Sequence, residues 1–141
     1  MASASRGRLR DAEPPRFFVD RGLGKVHVPA VFRDAGFEVV LMSDLYTGGA
    51  DQLVSDDRWI AEVGAVGLVA LTKDVSIVRN HAAALEASTL RVFALTNANI
   101  TGTEMASRYR VNLHRIVQRS RRRGPFVDVV NRSNVERRWP A

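Results

Sequence analysis

The sequence predicts an α/β domain, with a central, mostly parallel sheet, helices on both of its faces and a C-terminal β-hairpin. Three observations carry this reading. Short, almost wholly apolar runs recur along the chain, which suits strands buried on both faces. Stretches with apolar residues at helical spacing separate those runs, the alternation that builds a parallel sheet. The last two strand-like runs instead flank a short polar turn, as in an antiparallel pair.

In chain order, "MASASRGRLRDAEPP" carries arginines but no apolar segment and reads as a disordered arm over residues 1–15, ahead of a single domain over 16–141. "RFFVD" (16–20) is a buried-strand run, and "GKVHVPAVFRDAGF" (24–37) has helical apolar spacing with Gly36 as its stop. "EVVLM" (38–42) is strand-like. The next stretch, "SDLYTGGADQLVS", holds the Gly48-Gly49 pair, which breaks any periodicity and predicts a long, functional loop. "DDRWIAEVGAVG" (56–67) predicts a helix capped by Ser55, its two leading acids complementing the helix dipole. "LVALT" (68–72) is the following strand, "VSIVRNHAAALEAS" (75–88) a helix and "LRVFALT" (90–96) a further strand. Thr101 and Glu104 have the spacing of a capping box and open a helix over roughly 103–122 that ends in "RSRRR". "GPFVDVVNRSNVERRW" then predicts two edge strands around an Asn-Arg-Ser-Asn turn.

With 141 residues, 45% of them hydrophobic, the chain suits one domain with a real core. The absence of cysteine excludes disulfides, thiolate-bound zinc and thiol nucleophiles, and makes a reducing cytoplasm the expected setting. No run approaches the ~18 uninterrupted apolar residues of a membrane span. The net charge of +6 is unevenly spread. Residues 1–74 hold 9 Lys+Arg against 11 Asp+Glu, whereas residues 75–141 hold 12 against 4. An acidic pocket beside a basic face suits a polyanion held near bound cations.

The stretch "FFVDRGLGK" (17–25) poses a choice between a phosphate-cradling glycine loop and an acidic site. A P-loop fails, because Lys25 is followed by Val26 and lacks the required glycine spacing. A dinucleotide fingerprint fails too, because His27 stands where its third glycine should be. What survives is Asp20 at the end of the first strand, the edge at which open parallel sheets bind ligands. Asp74 follows "LVALTK" and should emerge at that same edge, with the Thr72 hydroxyl beside it. Asp56 and Asp57 open the helix before that strand. Each acid taken singly also has a plain structural reading, as a turn or helix cap. Three converging carboxylates would repel one another unless a divalent cation neutralised them, and hard oxygen ligands select Mg2+ or Mn2+. His27, His81 and His114 form no metal-binding pair and read as surface or core residues. Trp59 reads as core.

In their order and spacing, "FFVDRGLG", "DAGFEVV", "DDRWIAEVG", "LVALTKD" and "RVFALTNANITG" resemble the PIN-like domains, and within them the VapC-type toxins of toxin-antitoxin systems, over roughly residues 16–102. The resemblance implies a three-layer fold and a Mg2+-dependent ribonuclease. Carried over, Asp20, Asp56 and Asp74 would be the metal-binding and catalytic acids, with Asp57 an adjacent substitute for Asp56. Arg21, Lys73 and Arg79 lie near these acids and could contact the phosphates of the RNA substrate, and Thr72 could hydrogen-bond there; taken singly, each cation reads first as a solvated surface charge. A cognate antitoxin and a homodimer are further expectations from the resemblance. One departure is Ser76, where some related groups carry another acid, which argues for one metal rather than two. Two other readings stay open: a catalytically inactive PIN-like module that binds nucleic acid or a regulatory partner, and a phospho-acceptor, receiver-like domain.

Overall fold

Side chains alternate across a strand, so each apolar run divides its residues between the two faces of one sheet. The computed structural model describes residues 13–96 and 99–141, so most of the arm expected over 1–15 lies outside the described residues. Five parallel strands, β1 (Phe17–Val19), β2 (Val39–Leu41), β3 (Val69–Thr72), β4 (Arg91–Leu95) and β5 (Phe126–Val130), are joined by an antiparallel β6 (Val135–Trp139). Their order across the sheet is β2-β1-β3-β4-β5-β6, with β1 in register between β2 and β3.

On one face, Phe17, Val19, Val69, Leu71, Phe93 and Leu95 bury against α1 (His27–Asp34), α6 (Gly102–Val111) and α7 (Leu113–Arg119). On the other, Phe18, Ala70, Val92, Ala94 and Val127 bury against α2 (Met42–Leu45), α3 (Asp56–Ala65), α4 (Ile77–Asn80) and α5 (Ala82–Glu86). The result is the three-layer α/β architecture with a closing hairpin. Aromatic rings anchor both layers: the Phe17 and Phe32 centroids are 4.6 Å apart, and Phe18 and Trp59 are 5.4 Å apart. Each such side chain contributes roughly 1.5–3 kcal/mol through burial. Asp128, fully buried in β5, is neutralised from two sides by the guanidinium groups of Arg119 and Arg137.

Two helices expected as continuous are broken. The span 75–88 divides into α4 and α5 at His81, whose φ of −132° and ψ of 33° leave the helical region. Its imidazole is drawn to two aspartates at the start of α3. The span 103–122 divides into α6 and α7 at Asn112, whose side-chain amide donates to the carbonyls of Arg108 and Asn131 at 2.9 Å each. Bonding back to the i−4 carbonyl competes with the helix ladder. The long loop after β2 also contains α2 and a 3-10 turn at Ala50–Gln52. Ser55 and Thr101 cap α3 and α6 as expected, accepting from the Arg58 and Glu104 amides.

Candidate active site

The chain leaves β1 toward β2 on one side and later returns to build β3 on the other, so the carboxyl ends of β1 and β3 flank a topological switch point. Diverging connections there open a crevice in parallel sheets. Asp20 directly follows β1, and its amide donates to the Leu71 carbonyl at 3.0 Å, which holds it beside the end of β3. The Thr72 hydroxyl donates to Asp20 Oδ2 at 2.8 Å and accepts from the Asp74 amide at 3.2 Å. One threonine thus ties both strand ends together. Beneath them the buried Tyr109 hydroxyl reaches the carbonyls of Thr72 (3.1 Å) and Phe93 (3.0 Å).

Burial pushes the Asp20 carboxyl above the ordinary aspartate value; the Thr72 hydrogen bond opposes this and the Asp56 carboxylate adds to it. Asp56 therefore lies within electrostatic reach of Asp20. Burial, and then the Asp20 charge, likewise raises the Tyr109 phenol well above its ordinary value. The two leading acids of α3 differ. Asp56 is held at both oxygens, by the Trp59 indole N–H at 2.8 Å on Oδ1 and by His81 Nε2 at 3.2 Å on Oδ2. Asp57 meets the other imidazole nitrogen, His81 Nδ1, at 2.6 Å, and its side chain is 68% exposed against 34% for Asp56. Of the two, Asp56 is the one coupled to Asp20.

Asp74 reaches the same edge as an exposed side chain, its Oδ1 accepting from the amide of Ser76 at 3.0 Å and from the Ser76 hydroxyl. The expected convergence of three carboxylates is accordingly not preassembled: among the described residues no three His, Cys, Asp or Glu side chains form a group that could hold a metal ion. Ser76 offers Asp74 a local pair of donors. Arg21 donates to the Asp51 carbonyl at 2.7 Å and reaches Val54 O at 3.4 Å, so it clamps the long loop beside Asp20. Lys73 lays its stem along Gly22, where an added Cβ would lie 3.1 Å from Lys73 Cε. Arg79 is exposed in the last turn of α4.

His81 is what the sequence reading missed. It stands 24 residues from Asp57, at a helix break, and no short motif announces that pairing.

The family model described as PIN like domain matches residues 15–97, more than half the chain. This chain belongs to the PIN-like domain family. A curated protein of Mycobacterium tuberculosis (strain ATCC 25618 / H37Rv), named "Putative ribonuclease VapC45", is 37% identical over 131 residues, covering 89% of this chain and 93% of that protein. No solved structure matches.

The oxygens that this PIN-like domain presents fit a hard divalent cation better than any softer metal. A desolvated carboxylate beside a second one carries an electrostatic cost that such a cation would relieve. Asp20, desolvated and raised further by the Asp56 charge, meets that description.

Proposed function

We propose that this PIN-like domain is a VapC-type endoribonuclease in which Asp20, Asp56 and Asp74 hold Mg2+, or Mn2+ in its place. The observation that carries the reading is the placement of the desolvated Asp20, held by Thr72 and by the Leu71 carbonyl at the switch point of the sheet, within electrostatic reach of Asp56. The 37% identical relative, named as a ribonuclease, supports RNA as the substrate. A bound divalent cation would supply Lewis-acid activation of water and neutralise phosphoryl charge.

The chain's own residues prepare that chemistry. Thr72 aims Asp20, while Trp59 and His81 fix both oxygens of Asp56. Asp57 shares His81 and balances it from the outer side. Lys73 and Arg79 contact phosphate from the rim, and Arg21 keeps the loop carbonyls of Asp51 and Val54 beside the site. An antitoxin segment would silence the enzyme by occupying this acidic crevice, and the protein would act as a homodimer.

The engagement of Asp74 by Ser76 favours a second reading, a catalytically inactive module that binds nucleic acid. Cleavage of a labelled mixed-sequence RNA with Mg2+, Mn2+ or EDTA separates the two. The enzyme reading expects metal-dependent cleavage that Asp20→Asn and Asp74→Asn abolish. RNA that stays intact with every metal, while all three proteins still bind it, would establish the inactive module.

A further inference from the structure

A cleft lies at the opposite edge of the sheet from the acids. It has a volume of about 740 Å3 and gathers Arg16, Arg91, Arg121, Arg122 and Arg123 around one acid, Glu13. Arg16 precedes β1, Arg91 begins β4 and the arginine triplet precedes β5, so all five belong to the amino-terminal ends of parallel strands. With β3 and β4 four to five residues long at ~3.3 Å per residue, the two edges stand roughly 15 Å apart.

The arginines differ in their duties. Arg91 bridges the carbonyls of Ser120 and Gly67 and walls the cleft with a half-buried guanidinium. Arg16 donates to Val66 O at 2.7 Å and meets Glu38 at 3.6 Å. Arg121, Arg122 and Arg123 are exposed in consecutive positions, and among the described residues none of the three makes an ion pair or a side-chain hydrogen bond. The chain's own N-terminal residues 1–12 offer no net neutralising charge, since they carry Arg6, Arg8 and Arg10 against the single acid Asp11.

We infer that this cleft is a second nucleic-acid site, which binds the phosphodiester backbone of single-stranded RNA through Arg121, Arg122 and Arg123 at the edge remote from the acids. Guanidinium groups pair with phosphate oxygens in a two-pronged geometry, and three in succession suit a repeating anion. A protein partner would need an apolar anchor at the centre of its footprint. Between its charges the cleft offers two prolines, two glycines and Ser120, and no large apolar side chain. The site would hold a strand by its backbone, without reading bases, while a distant bond of the same strand lies at the acids. The inference rests on RNA being the substrate of the acidic site.

The test is equilibrium binding of a fluorescent, unstructured oligouridylate to the full chain in EDTA, across a series of salt concentrations. It compares wild type, the triple variant Arg121→Gln/Arg122→Gln/Arg123→Gln and its Arg→Lys counterpart. Losing three phosphate contacts should flatten the log–log salt dependence by about 2 and weaken binding at least tenfold at low salt, while the lysine variant keeps the wild-type slope. An unchanged slope in the glutamine variant overturns the proposal. Equal competition by polyglutamate at matched charge also overturns it, in favour of an acidic protein partner. Because EDTA removes cleavage from the readout, a chain that binds through these arginines yet never cleaves would sink the nuclease reading and leave the cleft standing. A glutamine variant that binds and cleaves long RNA like wild type would do the reverse.

Discussion

Asp20 sets stability against chemistry. Its carboxyl titrates above the ordinary aspartate value in the folded chain, so folding favours the protonated form. That contribution is present below the unfolded value and lost as pH rises through the raised one, which leaves the ionised carboxylate a net cost at neutral pH. Asp20→Asn keeps an oxygen for the Thr72 hydroxyl and removes the charge. It should therefore melt about 2–4 °C higher than wild type in EDTA, the scale of roughly 1 kcal/mol in a domain of this size. A lower melting temperature would show that the charge is already compensated within the fold. His81 acts through Asp56, so His81→Ala should weaken Mn2+ binding roughly tenfold, the usual loss when a ligand's supporting partner is removed. Unchanged affinity would reduce His81 to a helix-break residue. Asp20 and Asp74 were legible in the sequence because each ends an apolar strand run, and strand ends of a parallel sheet share one edge. Neither the choice between Asp56 and Asp57 nor the part of His81 was legible, because both depend on where α4 ends against α3.

At the scale of elements, the long loop after β2 is pinned to α3 by the Tyr46 hydroxyl, which donates to Glu62 at 2.6 Å, with the Arg58 guanidinium 5.2 Å from the centre of the Tyr46 ring. Burial and the Glu62 contact push the Tyr46 phenol up to about 12. A phenol raised on folding stabilises the folded state fully below its unfolded value near 10, and that contribution is lost as pH rises from ~10 toward ~12. Tyr46→Phe should flatten the fall in denaturant stability over this alkaline window. An identical fall in both proteins would mean that the hydroxyl does not pin the loop. The strands could be read in advance because burial on both faces makes them continuously apolar. The helix breaks could not, since each is made by a polar side chain, His81 or Asn112, whose partners come from elsewhere in the fold.

Across the whole molecule, the charge asymmetry of the two halves of the sequence becomes an asymmetry of two edges: acids at the carboxyl ends of β1 and β3, arginines at the amino ends of β4 and β5. Among the described residues no helix is long and apolar enough to cross a membrane. Family membership and the mostly parallel α/β architecture with its closing hairpin followed from the order of short motifs along the chain, whereas the strand order and the basic cleft did not. The cleft assembles Arg16, Arg91 and Arg121–Arg123 from three separate stretches that only the parallel register brings together. The central claim is that Asp20 and Asp56 form a divalent-cation site, and calorimetric titration of the RNA-free chain with Mn2+ tests it most directly. Saturable binding in wild type that disappears in both Asp20→Asn and Asp56→Asn is the predicted result. The same heats in all three proteins would contradict the claim and place any metal elsewhere.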